Sequence, residues 1–237
     1  MPNTNTSPVP IRIDLYVKIH KALRAQMMAA VASFETLDLD MPAAVLDAVG
    51  QLRQLLAFSA SHLEKEDAYV HPAMEARRPG STATIAGDHA HHRQAFEQLR
   101  ALGDRLLVAG AGQADVLTVL RQQLHLFVAD NLSHMQQEET VNNAVLWETH
   151  TDHELIAIEM DIVGSLTQEQ RAQSLYWMLP ALNHAERMHL LQAMRAGMPP
   201  PAFEGVLGLA RTRLSAAQWQ RLEQALAAAA AAERQAA

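Results

Sequence analysis

The sequence contains no cysteine, which excludes disulfide bonds, iron–sulfur clusters, thiolate zinc sites and cysteine nucleophiles. Aromatic residues make up only 5% of the chain, and Gly and Pro number 10 each, so helix-forming residues dominate and favour an all-α protein. The net charge of -7 and the absence of a Lys/Arg cluster give no basic surface for nucleic acid. No apolar run is long enough for a convincing membrane span, so we expect no membrane partner.

The chain is long enough for one large helical domain or for a bundle with an appendage, since 49% of its 237 residues are hydrophobic. Residues 1–10 lack the basic and apolar regions of a signal peptide. We therefore expect, by default, a cytoplasmic location. The same residues are expected to form a disordered lead-in. The 12 histidines are a generous number, and imidazole is the commonest protein metal ligand.

Apolar residues recurring every three or four positions predict four long helices. They run over 11–37, from Pro42 to about 76, from the RRPGS turn to about 108, and over about 115–148. Short connections between long helices predict an up-down-up-down four-helix bundle. We assign this bundle to a domain spanning residues 11–150.

Further helices are expected in a C-terminal annex over residues 151–232. Three of them open with capping-box pairs, which are Thr151 with Glu154, Thr167 with Gln170, and Ser215 with Gln218. The second is predicted to run to about residue 195 with a kink at Pro180. The annex either covers the bundle or builds a homodimer interface.

A His-x₃-Glu motif interrupts the apolar face of the second helix. His62 and Glu66 lie four residues apart, about 400° of helical rotation, so their side chains share one face. Ionisable groups rarely enter a core unless they are paired, hydrogen-bonded or bound to metal. The pattern recurs at His134 and Glu138 on the fourth helix. A metal site is therefore the leading interpretation, and a buried His–Glu network without metal is the alternative.

The ordered set of motifs resembles the hemerythrin-like, or HHE cation-binding, family over about residues 11–150. It consists of IHKALR at His20, HLEKEDAYVHPAM from His62 to Met74, DHAHHRQAFEQL around His89, and HMQQEE from His134 to Glu139. The resemblance implies a non-haem centre of two iron ions, usually bridged by the two carboxylates. The metal ligands that it implies are His20, His62, Glu66, His89, His134 and Glu138.

The donor chemistry agrees with iron, because imidazole and carboxylate without thiolate suit iron and also manganese or zinc. Ferritin-like bundles instead use four Glu residues and Glu-x-x-His motifs, so the reversed order here disfavours that branch.

One position departs from the oxygen-carrying hemerythrins, which have a second His one turn after the first on the third helix. Arg93 stands there, and His92 lies about 60° around the helix from His89. This departure counts against simple reversible oxygen carriage. We favour a supporting role for His92 and leave it out of the ligand set.

Other polar residues near the motifs are assigned to surface or packing roles. Asp67 and Glu139 fall off the ligand faces and are expected to be solvated. His71 is expected at the surface or between helices. Tyr16 shares the ligand face of its helix and is either a packing residue or a hydrogen-bond donor.

Three functions fit these patterns. The first is a di-iron protein that binds or senses a small diatomic ligand, oxygen or nitric oxide. The second is an enzyme whose centre activates oxygen or peroxide, or donates iron for repair of damaged metal centres. The third is a metal-free helical protein that assembles through its annex.

Overall fold

The computed structural model describes residues 12–236, with side chains described through residue 232. The lead-in expected over residues 1–10 lies outside the described residues. The described part is helical and contains no strand, which confirms the all-α class. Its first helices are α1 Val17–Glu35, α2 Pro42–Lys65, α3 His71–Arg77, α4 Ala83–Val108, α5 Gln113–Gln137 and α6 Asn143–Thr149.

Two π-helical turns make longer rods of these pieces. Glu66–Val70 joins α2 to α3, and Glu138–Asn142 joins α5 to α6. Helix α1 packs against α2 and α5, and α4 packs against the same two rods, so the four segments close into a bundle. The predicted second and fourth helices are therefore each interrupted by a π-turn that periodicity did not reveal.

Helix α1 begins later than the predicted residue 11. The Asp14 carboxylate accepts hydrogen bonds from the backbone N–H groups of Tyr16 and Val17, at 2.8 and 2.9 Å. These amides would otherwise lack partners, so Asp14 satisfies them just before the helix, which begins at Val17.

Two apolar clusters lie along the bundle. The larger one contains residues of α1, α2, α4 and α5, including Leu23, Leu52 and Leu120. The smaller one includes Tyr16 and Met74, and it forms around the segments that follow the two π-turns. Leu63 and Met135 of the larger cluster lie inside the two His-x₃-Glu motifs, and members of the smaller cluster follow on the same rods, so the motifs lie where the two apolar clusters meet.

Within the described residues, five helices follow the bundle. They are α7 Asp152–Ser165, α8 Gln168–Ala181, α9 His184–Gly197, α10 Pro200–Arg213 and α11 Ala216–Ala236. The predicted capping boxes at Thr151 and Thr167 are present. The prediction of one helix running to about residue 195 is wrong, because α8, which contains Pro180, ends at Ala181 and Asn183 opens α9 with a capping box of its own. No helix of the described residues is long and apolar enough to cross a bilayer.

Helix α8 docks the C-terminal helices onto the bundle. Trp177 and Met178 pack against the larger apolar cluster. The Gln170 side-chain amide donates to Ser61 Oγ at 3.0 Å, and Lys21 pairs with Glu186 at 2.5 Å. These helices therefore cover α1 and α2.

Candidate metal centre

Four rods of the bundle contribute to one buried group of side chains, the His/Glu cluster. It consists of His20 from α1, His62 and Glu66 from the end of α2 and its π-turn, His89 from α4, and His134 and Glu138 from the end of α5 and its π-turn. The structure thus brings together all six residues that the sequence singled out.

The His/Glu cluster divides into two overlapping groups of four donors. The first contains His20, His62, Glu66 and Glu138, and the second contains Glu66, His89, His134 and Glu138. Within each group one donor atom per residue lies within 4.8 Å of all the others. Both carboxylates belong to both groups, so they lie between two pairs of imidazoles.

The first half has short distances between ring nitrogens and carboxylates. His62 Nε2 lies 3.2 Å from Glu66 Oε1, and His20 Nε2 lies 3.3 Å from Glu138 Oε2. The two Nε2 atoms are themselves 3.2 Å apart. Both imidazoles therefore direct Nε2 towards the carboxylates.

The second half has similar distances between ring nitrogens and carboxylates. His89 Nε2 lies 3.5 Å from Glu66 Oε2, and His134 Nε2 lies 3.3 Å from Glu138 Oε2. Glu66 thus contacts one half through Oε1 and the other through Oε2. This disposition suits a carboxylate that bridges two cations through separate oxygens, whereas Glu138 contacts His20 and His134 through the same oxygen, Oε2.

Each π-turn begins at a cluster carboxylate. The His71 N–H reaches the Glu66 carbonyl, and the Asn143 N–H reaches the Glu138 carbonyl, both with the five-residue spacing of a π-helix. Such single wide turns occur frequently at functional sites. Their presence at both matching positions gives the two halves of the cluster the same local backbone.

A carboxylate outside the cluster orients His20. His20 Nδ1–H donates to Glu139 Oε1 at 2.9 Å, and Arg24 donates to the same oxygen at 2.6 Å. Burial acts to raise the pKa of Glu139, but its hydrogen bonds with His20 and Arg24 hold it below its ordinary value. Glu139 therefore carries a negative charge and holds the His20 proton on Nδ1. The lone pair of His20 Nε2 is then directed towards the cluster.

The same arrangement recurs at His89. Its Nδ1–H donates to Asp67 Oδ1 at 2.8 Å, and Arg93 hydrogen-bonds to the other oxygen of Asp67. Burial opposes the effect, but the hydrogen bonds with His89 and Arg93 hold the pKa of Asp67 below its ordinary value. The expectation that Asp67 and Glu139 are solvated charges was wrong, because each bonds a cluster histidine on a different helix.

A repeated signal in the sequence marks these supports. An acidic residue follows each motif glutamate directly, as Asp67 and Glu139, and an arginine lies four residues after each single histidine, as Arg24 and Arg93. Arg93 stands where the oxygen-carrying hemerythrins have a second histidine on this helix. It forms an ion pair with Asp67 instead.

The interior of the cluster contains several polar atoms without a hydrogen-bond partner in the described part of the chain. The carboxylate oxygens of Glu66 and Glu138, and Nε2 of His89 and His134, are buried without a hydrogen-bond partner among the described residues. Burial, and after it the neighbouring Glu138, raises the pKa of Glu66 well above its ordinary value. Buried polar atoms in this number need partners. Cations between the donors would supply them, so the residues fit a metal centre.

Three flanking side chains complete the surroundings. His92 is buried with its ring 4.7 Å from that of His134, but it belongs to neither four-donor group. His71 is also buried and stacks on His89 at 4.9 Å, so it lies between helices and not at the surface. Burial, reinforced by Glu138 and Glu66, raises the pKa of Tyr16 well above its ordinary value, so its hydroxyl stays neutral.

A helical bundle with four inward imidazoles around two shared carboxylates defines a class, the cation-binding four-helix bundles. The family model of the hemerythrin HHE cation binding domain matches residues 12–146, more than half of the chain. The chain belongs to this family. Neither the search of curated proteins nor the search of solved structures gave a match.

Proposed function

We propose that the His/Glu cluster binds two iron ions, with Glu66 and Glu138 shared between them. One ion takes His20 and His62, and the other takes His89 and His134. The observation that supports this proposal is the division into two four-donor groups with both carboxylates in common. A single cation would need only one of these groups.

Iron is the proposed metal because the donors are imidazole and carboxylate, and the chain has no thiolate to offer. Manganese and zinc accept the same donors, so elemental analysis has to distinguish the three. Glu139 and Asp67 also support the assignment, since a carboxylate on the far nitrogen of a metal-binding histidine fixes its tautomer and raises its basicity.

We further propose that the centre binds a small diatomic ligand, oxygen or nitric oxide. Two imidazoles and two shared carboxylates give each ion four protein donors, and iron with so few protein donors keeps open coordination positions. When bound, the iron pair supplies these positions and its redox chemistry. The chain supplies the orienting hydrogen bonds and a poorly solvated interior.

Elemental analysis of protein grown with ample iron, followed by anaerobic reduction and exposure to oxygen or nitric oxide, tests the proposal. We expect two iron ions per chain and optical bands that appear with the ligand and disappear when it is removed. Catalytic consumption of oxygen or peroxide would instead identify the centre as an enzyme site. Purified protein without metal that also fails to take up iron would contradict the proposal.

A further inference from the structure

A cavity of about 280 Å³ lies between α4 and α5, beside the His89/His134 half of the cluster. It is lined by Asp88, His91, His92, Asp130, Ser133 and His134. His134, one of the proposed metal ligands, lines the cavity, which meets the Nδ1 side of its ring. The other end reaches solvent, since the side chain of His91 is 66% exposed.

The polar side chains of this cavity become steadily less exposed towards the centre. His91 and Asp130 form the mouth, and the Asp130 side chain is 57% exposed. Asp88 follows with 42%, and His92 is 2% exposed. Possible metal donors are therefore present at each depth between solvent and His134.

Close contacts occur at both ends of the cavity that these side chains line. At the mouth, His91 Nε2 lies 3.5 Å from Asp130 Oδ2, and at the inner end Asp88 Oδ2 lies 3.5 Å from His134 Nδ1. His92 lies beside His134, and its buried Nδ1 has no hydrogen-bond partner among the described residues. A buried imidazole nitrogen without a hydrogen-bond partner, next to a polar cavity, is available to bind an ion that enters the cavity.

The chemistry of the lining favours a divalent cation over a neutral diatomic molecule. Two carboxylates give the cavity a negative potential, and none of its described lining residues is Lys or Arg. Such a potential concentrates cations and has little effect on oxygen or nitric oxide. Imidazole and carboxylate are also the donors that ferrous iron accepts.

We infer that this cavity is the uptake route of the centre, through which divalent iron passes from His91 and Asp130 to His134. The inference rests on the proposed function, because it assigns a path to the metal proposed there. His91 and Asp130 hold the ion only in transit. Their loss should therefore change the rate of loading and not the final amount bound.

The test is the uptake of Co²⁺, whose visible absorption reports binding, by full-length protein first stripped of metal. The variant His91→Gln/Asp130→Asn, called the mouth variant, removes the imidazole and the carboxylate at the mouth of the cavity. The matched control His125→Gln/Glu35→Gln removes another exposed His–carboxylate pair, 3.1 Å apart, with the same change in charge. At low ionic strength we expect about tenfold slower uptake in the mouth variant alone, the lower end of electrostatic steering effects. The difference should shrink at about 1 M salt, where the Debye length is about 3 Å.

The remaining outcomes separate the inference from the proposed function. Equal uptake rates in the mouth variant and the control would overturn the inference alone. Slower binding of nitric oxide to the iron-loaded variant, with normal Co²⁺ uptake, would assign the cavity to the diatomic ligand and also overturn it. A lower final Co²⁺ content in the mouth variant would show that His91 and Asp130 bind metal at equilibrium, and would overturn the inference that they hold it only in transit. No uptake by the unaltered protein would overturn the proposed function and this inference together.

Discussion

Single side chains outside the His/Glu cluster determine how its histidines are presented. His20 and His89 each donate Nδ1–H to a carboxylate that directly follows a motif glutamate on another rod. Each carboxylate is held in turn by an arginine one turn after the histidine that it serves. The chain therefore repeats the same hydrogen-bonded triad around both halves of the centre, which gives both proposed metal positions a fixed histidine.

The first prediction concerns the shared carboxylates. The double variant Glu66→Ala/Glu138→Ala should lose tight metal binding, because four neutral imidazoles poorly compensate two divalent ions. Elemental analysis after dialysis measures the loss, and circular dichroism checks that the helices remain. Glu64→Ala is the control, since Glu64 is exposed within the same motif. Unchanged metal content in the double variant would show that the carboxylates do not bridge.

The second prediction concerns the triad of His89, Asp67 and Arg93. Arg93→Gln removes the charge that holds Asp67 in place, so the orientation of His89 becomes less fixed. We expect metal affinity to fall by about 10–100-fold, the usual effect of losing such an outer partner.

Competition with a chelator measures that affinity. Arg100→Gln is the matched control, because Arg100 lies on the same helix and pairs with the exposed Glu97 at 2.5 Å. If the Arg93 and Arg100 variants bind metal equally well, Arg93 does not position the centre.

The six cluster residues could be predicted because helical phase places them inward and the order of the motifs adds specificity. The supporting acids could not be predicted from phase. Asp67 and Glu139 lie about 100° around the helix from the neighbouring motif glutamates, and therefore off its apolar face. Only the packing of α2 against α4, and of α5 against α1, turns that direction towards another histidine.

Among the secondary-structure elements, helix starts are easier to predict from the sequence than interruptions within helices. Capping pairs at Thr151, Thr167 and Ser215 all open helices, because each satisfies backbone amides locally and needs no tertiary context. At Pro180 the choice between a kink and a break depended on the next capping residue, Asn183. The π-turns leave the apolar pattern almost unchanged and were therefore not visible in the sequence.

The third prediction follows from the break after α8. Asn183 caps α9 through its side chain and exchanges hydrogen bonds with Glu186 at 2.8 and 3.0 Å. Asn183→Ala should cost about 1 kcal/mol and lower the melting temperature by about 2–4 °C. Thermal unfolding followed by circular dichroism measures the change, with the exposed Gln192→Ala on the same helix as control. A melting temperature equal to that of the control would show that this capping box does not stabilise α9.

Over the whole molecule, the centre links all four rods of the bundle, and α8 extends that assembly to the C-terminal helices. Cations between Glu66 and Glu138 would join α1 and α2 to α4 and α5 at the junction of the two apolar clusters. Without cations, the same place contains two buried carboxylates whose oxygens lack hydrogen-bond partners among the described residues. Metal should therefore raise the free energy of unfolding more than it would at a site that joined only two helices.

The last prediction is that removal of metal destabilises the entire bundle. A ligand that binds only the folded state adds about 2.7 kcal/mol at a free concentration of about 100 times its Kd. For a chain of this length that corresponds to a rise of about 5–10 °C in melting temperature. Protein loaded with iron under anaerobic conditions should show this rise over chelated protein, and adding iron back should restore it. Glu66→Ala/Glu138→Ala should show no iron-dependent rise, because its folded state no longer binds the metal more tightly than its unfolded state. Equal melting temperatures for the loaded and the verified metal-free protein would mean that the four rods hold the cluster in place without the metal's help.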